Sequence, residues 1–417
     1  MTAFVSSYQP NRVATLLSAT TIHLGEGAIS KLSEALAQLK ASDGISNVLV
    51  VASKGAYRVS GAWAAIEPQL QQAGLKIAVF DGISANPTVD EIEAARALGK
   101  SVQANLILAI GGGSPIDAGK GVAALLANAE YSARELYSLK KTPKTALPII
   151  AVCLTHGTGS EANRYSVATL PETQHKPGIG YPCLYPRFSI VDPSLMHTLS
   201  VAQTRITAVD ALNHALEAAT SKIANPLSIA LAKEAVALIV HYLPLVLTDP
   251  QHREGRWALA TAATLAGIAI DNSAVHVTHA LEHPLSGLQP TLPHALGLAM
   301  LLPAVLEACY DDASDTYAML LEPLLRQHAG DECSKRSLTA LEVATRVERW
   351  LFSIGMSEKL ISMGFFEEQI PHLVDLVHET PTLLPLVSLA PGKLQRSDLV
   401  AIYQRSLKPL NSLSTAV

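Results

Sequence analysis

Between residues 45 and 200 the chain alternates short apolar runs with longer segments of mixed polarity. The runs are Asn47-Val48-Leu49-Val50-Val51, Lys76-Ile77-Ala78-Val79-Phe80, Asn105-Leu106-Ile107-Leu108-Ala109-Ile110 and Pro148-Ile149-Ile150-Ala151-Val152. A strand covered by helices on both faces has no wet side, so it loses the alternation of apolar and polar positions and reads as continuously apolar. Such runs, separated by helix-length intervals, predict a parallel sheet. One interval shows its crossover helix directly, because Ile92, Ala95, Leu98 and Val102 recur at spacings of three and four from residue 89 onward. Asn86-Pro87-Thr88 just before it stops one segment and starts the next.

From about Ser200 the strand-like runs cease. Ala- and Leu-rich stretches with helical periodicity replace them at residues 207–221, 226–247, 256–270, 275–285, 294–310 and 338–352, and the polar stretches 311–315 and 330–336 read as connections. The expected architecture is an α/β amino-terminal domain with a parallel sheet, residues 1–199, followed by an all-α carboxyl-terminal domain, residues 200–417. A length of 417 residues agrees with two domains.

Composition acts mainly by exclusion. With 49% hydrophobic and 16% charged residues the chain has material for large cores and not for disorder. Its 31 basic and 36 acidic side chains leave a net charge of −5 with no Lys/Arg block, so neither nucleic acid nor an acidic membrane surface is an expected partner. The nearest approach to a membrane span, residues 257–270, is flanked by Arg256 and Asp271 and falls short of the roughly 20 apolar residues a crossing needs. Cys153, Cys183, Cys309 and Cys333 are far apart with no C-x-x-C, and residues 1–10 lack the charged-then-apolar order of a secretory leader. A reducing, cytoplasmic location is expected.

After the strand ending at Ile110 comes Gly111-Gly112-Gly113-Ser114-Pro115-Ile116-Asp117, opening an apolar helix. Glycines let backbone N–H groups approach an anion, and a helix N-terminus attracts one. Ser114 is the expected cap, Pro115 the first helical residue and Asp117 the partner in a capping box. A second small-residue loop, Thr155-His156-Gly157-Thr158-Gly159-Ser160-Glu161, follows the strand at residues 148–152. Two such loops at the carboxyl ends of parallel strands form the kind of crevice in which α/β sheets bind nucleotides, which makes the first domain a nucleotide-binding one.

In the helical half Asp210 and His214 stand four apart, on one face of a helix. His276, His279, His283 and His294 follow within nineteen residues. Each histidine alone is an ordinary core or surface residue. Imidazoles together with a carboxylate on apolar helices point instead to a borderline divalent metal, Fe²⁺ or Zn²⁺, ahead of the oxygen-seeking Mg²⁺ or Ca²⁺.

Four motifs in order, Gly111-Gly112-Gly113-Ser114-Pro115-x-Asp117, Gly157-Thr158-Gly159-Ser160-Glu161, Asp210-Ala211-Leu212-x-His214-x-x-Glu217 and His279-x-x-x-His283-Pro284-Leu285 followed by Pro293-His294, resemble the iron-containing, or group III, alcohol dehydrogenase family over nearly the full length. The resemblance implies the architecture shared with dehydroquinate synthase. It places a nicotinamide dinucleotide on Gly112, Gly113 and Ser114, with Asp117 in the same turn and Thr155, Thr158, Asn86 and Lys176 lining the crevice. It makes Asp210, His214, His279 and His294 the ligands of Fe²⁺, with Zn²⁺ the alternative, and leaves His283 beside nicotinamide and substrate as the catalytic proton relay. The implied reaction is hydride transfer between a small-molecule alcohol and NAD(P)⁺, giving an aldehyde or ketone, with the substrate oxygen on the metal. A homo-oligomer, dimer or larger, belongs to the same expectation.

Departures from the family pattern are His156 for a common alanine, His276 for a common glycine, one extra residue between His283 and His294, and a weaker match from Asp311 onward. The extra imidazoles read as substrate contacts or as packing and hydrogen-bonding residues. Glycerol dehydrogenase or maleylacetate reductase activity, or a lyase of the dehydroquinate synthase type, are same-architecture alternatives. The lyase needs Lys and Arg around the metal, and the helices carrying residues 210–217 and 276–285 have none. A hydrolase in which His283 activates water leaves the glycine loops unexplained, and a protein that only binds nucleotide is the remaining alternative. Ser53, where NAD-preferring members of the family carry Asp, followed by Lys54, favours NADP over NAD as cofactor.

Overall fold

The computed structural model describes residues 15–327 and 338–410. Residues 1–10, Cys333 and the connection at 330–336 lie outside them. Strands β1 (Thr21–Leu24), β2 (Asn47–Ala52), β3 (Lys76–Phe80), β4 (Leu106–Gly111), β5 (Ile149–Cys153) and β8 (Phe188–Val191) form one parallel sheet in the order β1-β8-β5-β4-β2-β3. A separate antiparallel pair joins β6 (Tyr165–Val167) to β7 (Gly178–Gly180). The parallel pairing of the predicted runs is as expected, and β1 and β8 complete the sheet.

Burial explains why the strands are apolar throughout. Val48, Val50 and Ala52 pack with α1 (Leu32–Asp43) and α2 (Ala62–Gln72) on one face. Leu49 and Val51 pack on the other with α3 (Val89–Ser101) and α4 (Gly113–Ala127). The start of α3 is fixed by Thr88, which accepts from Glu91 N while the Glu91 side chain returns to the Thr88 backbone. Successive strands leave β2 toward β3 on one side and toward β4 on the other, so the carboxyl ends of β2 and β4 flank the point where the strand order reverses, the usual seat of a ligand in such a sheet.

No strand follows Val191 among the described residues. Helices α5 (Val201–Thr220), α6 (Pro226–Thr248), α7 (Arg253–Asp271), α8 (Val277–Leu288) and α9 (His294–Cys309) share one hydrophobic core with the later helices Ala340–Ser353, Ile370–Glu379 and Arg396–Ser406. By length and composition α6 could cross a membrane. Its Ala232, Val236, Ile239 and Leu243 are instead buried in that core, in contact with α5 and α7.

Candidate active site

A cleft of about 670 Å³ runs between the sheet and the helical layer. At one end it is lined by Ser53, Ser60, Gly112, Gly113, Ser114, Thr155 and Thr158, and at the other by Asp210, His214, His279, His283 and His294. Every residue assigned a role from the sequence lines this one cleft, Asn86, Asp117 and Lys176 included.

The glycine turn seats against the second loop. A Cβ on Gly113 would stand 2.4 Å from Thr158 Cγ2, so only glycine lets the two loops close on each other. The expected capping box is not formed. Helix α4 begins at Gly113 with Gly112 at the cap and no side-chain cap bond, which puts Ser114 inside the first turn, where its backbone is already helical. Ser114 Oγ donates to Ala85 O at 2.5 Å, and Asp117 accepts from Ser160 Oγ at 2.5 Å and Val167 N at 2.9 Å. Asp117 therefore holds the neighbouring loop and β6 in place.

Asn86 and Lys176 are similarly occupied. The Asn86 amide donates to Pro290 O and Leu292 O at 2.8 and 3.0 Å, tying the sheet to the segment before α9. Lys176 Nζ donates to Asn86 Oδ1 at 2.9 Å and Ser286 Oγ at 2.8 Å and stands 3.7 Å from Glu282 Oε2. A lysine expected beside the cofactor thus also neutralises a buried carboxylate of the helical half.

At the far end three elements converge. One ligand atom each of Asp210 (α5), His279 (α8) and His294 (the first residue of α9) lie within 4.8 Å of one another. His214, one turn after Asp210, stacks on His279 with ring centroids 4.6 Å apart, and its Nε2 is 3.8 Å from Asp210 Oδ1. The His283 ring is 5.5 Å from that of His294. Asp210 Oδ1 and His279 Nε2, on two residues of this set, are buried without hydrogen-bond partners, as is His283 Nδ1 beside it. Buried polar atoms left unpaired together, and facing one another, are costly unless a cation joins them, so the donor set fits a divalent ion with mixed nitrogen and oxygen ligands.

Two carboxylates that sequence reasoning gave no role stand behind the histidines. Glu217 binds His279 Nδ1 and accepts from Thr278 N at 2.7 Å; Glu282 binds His294 Nδ1. A carboxylate on Nδ1 leaves Nε2 as the free nitrogen and fixes the ring, the arrangement found behind histidines that ligate metals. The spacing offered a signal: Glu217 lies three residues after His214 and Glu282 three after His279, so each acid shares a helix face with a candidate ligand.

Electrostatics divide the groups. Burial would raise Glu217, but His276 and His279 outweigh it and hold the carboxyl below its usual range. Burial lifts Asp210 to about 7, with the charges of His279 and Lys176 opposing it. Burial lowers His214, His283 and His294 and keeps them neutral, the state in which imidazole ligates metal or accepts a proton. Of the two unusual histidines neither lines the cleft: His276 is buried against Glu217 and Thr220, and His156 against Arg256 and Thr207.

A family model described as iron-containing alcohol dehydrogenase matches residues 19–193, and one for the carboxyl-terminal part of the Fe-containing alcohol dehydrogenase family matches residues 204–407. The long-chain primary alcohol dehydrogenase AdhA of Thermoanaerobacter ethanolicus is 45% identical over 95% of this chain and 98% of its own. Among solved structures, the archaeal halo-thermophilic Red Sea brine pool alcohol dehydrogenase ADH/D1 superposes with a TM-score of 0.87 at 25% identity, over 96% of this chain and 100% of that one. The NADH-dependent butanol dehydrogenase A of Thermotoga maritima gives a TM-score of 0.84 at 29% identity, over 95% of this chain and 99% of that one. The chain belongs to the iron-containing alcohol dehydrogenase family. It is an oxidoreductase that acts on small-molecule alcohols or aldehydes, with the general dependence on iron and a nicotinamide-type cofactor that goes with that family.

Proposed function

We propose that the protein interconverts a primary alcohol bearing an aliphatic tail and its aldehyde, with Fe²⁺ held by Asp210, His214, His279 and His294 and with NADP as the preferred cofactor. The observation that carries the reading is the cluster of buried, unpartnered donors at one end of a cleft whose other end is the glycine turn. When bound, the ion supplies Lewis acidity and the dinucleotide accepts or returns the hydride. Glu217 and Glu282 orient His279 and His294 through their Nδ1 atoms. His283, neutral and with Nδ1 unpartnered, accepts the alcohol proton in one direction and returns it in the other. Ile270, Ala274, Val275 and Leu386 give the substrate end an apolar wall that excludes water and suits an aliphatic chain. The name of the AdhA relative supports the same substrate class.

The lyase alternative is not favoured. Among the described residues that line the cleft, Lys176 is the single lysine and no arginine appears, and Lys176 is engaged by Asn86 and Ser286. Two units, residues 1–199 for the dinucleotide and 200–417 for metal and substrate, belong to this reading. So does a cytoplasmic location, supported by the free thiols of Cys153, Cys183 and Cys309. Assembly into a homo-oligomer is supported by β1, which among the described residues has no strand paired on its outer side.

The preference for NADP rests on the end of β2. Ser53 lines the cleft there, followed by the exposed Lys54, a hydroxyl and a cation suited to a 2′-phosphate. Asp81, at the end of the adjacent β3, lies 3.4 Å from the Tyr57 hydroxyl and does not line the cleft. With one aliphatic aldehyde, kcat/KM is expected to be higher with NADPH than with NADH. Ser53→Asp should then shift the ratio toward NADH by roughly 1–3 kcal/mol, the cost of opposing a like charge and losing a polar partner. A wild-type preference for NADH of about tenfold or more contradicts the assignment.

A further inference from the structure

Two buried residues that the site leaves unused meet behind the nucleotide loop. Arg256, on α7, is fully buried, and among the described residues no carboxylate pairs with it. Burial lowers it only to about 10, so the guanidinium stays charged at neutral pH in a place where an uncompensated charge is costly. Its donors converge on one junction. Nε reaches Pro250 O at 3.0 Å, Nη1 reaches Thr204 Oγ1 at 2.8 Å and His156 Nε2 at 3.1 Å, and Nη2 reaches Leu199 O at 3.5 Å.

The direction of the network follows from its chemistry. Arginine only donates, so His156 Nε2 accepts and the ring proton sits on Nδ1, which donates to Thr207 Oγ1 at 3.1 Å. Thr207 Oγ1 in turn donates a hydrogen bond to Gln203 O at 2.8 Å. Burial, and then the Arg256 charge, pulls His156 down to about 3, so the ring keeps this tautomer and stays neutral. The segments joined are the nucleotide loop, the connection at Leu199, the first turns of α5 and the start of α7. Gly157 lies so close to α5 that a Cβ would stand 2.9 Å from Thr207 Cβ. On either side of this pinned pair, Thr155 and Thr158 line the cleft.

We infer that His156 is a positioning residue for the nicotinamide dinucleotide. By bridging Arg256 to Thr207 it holds Thr155 and Thr158 against the glycine turn and anchors the nucleotide loop to the first turns of α5. The inference rests on the reading of the cleft as a cofactor site. An apolar side chain in place of the imidazole fills the space and leaves both Arg256 and Thr207 short of a partner, so the histidine is required for its two nitrogens and not for its bulk.

The test compares His156→Met, which keeps the volume without the hydrogen bonds, with His156→Gln, whose amide offers an acceptor to Arg256 and a donor to Thr207. Arg256→Met breaks the same bridge from the other end. Titration of metal-loaded protein with NADPH and NADH, read by cofactor fluorescence, gives Kd; kcat, KM, metal content and Tm are measured beside it. His156→Met and Arg256→Met are expected to raise cofactor Kd and KM on the order of tenfold, with kcat within about twofold and metal content unchanged, and His156→Gln to stay within about threefold of wild type. The inference is overturned if His156→Met binds cofactor as wild type does, if His156→Gln is as weak as His156→Met, or if kcat and metal fall in parallel with affinity. A wild-type protein that binds neither nucleotide overturns the cofactor site itself, and this inference with it.

Discussion

A His279→Ala protein is expected to purify without metal and to show no turnover above background. His279 is the residue on which the cluster turns. Its Nε2 is buried and unpartnered, its ring stacks on His214, and its Nδ1 is held by Glu217. Removing an outer carboxylate behind a ligating histidine costs roughly 10- to 100-fold in metal affinity or activity, and loss of the ligand itself must exceed that. The truncation also leaves Glu217 buried with one acceptor unpaired, so a lower Tm should accompany the loss. Metal per chain, measured by elemental analysis, and NADPH oxidation on one aldehyde should fall together. A protein that keeps its metal while losing activity contradicts the place given to His279.

His283→Ala separates proton transfer from metal binding. His283 sits one turn after His279 on α8, with its ring 5.5 Å from His294 and its Nδ1 unpaired. It also forms a close set with Glu282 and His294, so the geometry alone allows a ligand role. The account makes it a proton relay. The variant should therefore keep about one metal per chain and lose on the order of 10² to 10⁴ in rate, the usual contribution of a general acid–base group. Loss of metal would move His283 into the ligand set and place His294, which follows the lengthened connection, in doubt.

The sequence made the sheet and the helical half legible to unequal degrees. Runs such as those at β2 and β4 were readable because burial on both faces leaves no polar position in Val48 to Ala52 or Leu106 to Ile110. Strand β1 was not, because it is four residues long, carries Thr21 and His23, and is partly exposed at the sheet edge. Strand β8 is equally short and follows Pro186 and Arg187 without a helix-length interval. Helical periodicity marked the later elements to within a turn or so; α5 starts at Val201, six residues before the periodic stretch, because Ser200 caps it by accepting from Gln203 N.

Within the site, the spacing of Asp210 with His214 and of His279 with His283 showed which side chains share a helix face, and the fold brings those faces together. What spacing could not show was direction. Glu217 and Glu282 act across helices, on His279 and on His294, and Lys176 reaches Glu282 from the loop before β7. Ser114 and Asp117 matched a capping pattern, yet α4 starts two residues earlier than that pattern requires, which frees Asp117 for Ser160 and Val167. The partner of His156, a hundred residues away on α7, had no sequence signal at all.

The central claim is that one divalent ion, held at the junction of α5, α8 and α9, is required for dinucleotide-linked alcohol and aldehyde chemistry. Its most direct test is chelation followed by reconstitution, with NADPH oxidation on a long-chain aldehyde followed by the nicotinamide absorbance. The account predicts that the metal-free protein is inactive and that anaerobic Fe²⁺ restores turnover in proportion to metal bound, reaching a plateau at about one ion per chain. Full turnover by protein verified to be free of metal contradicts it.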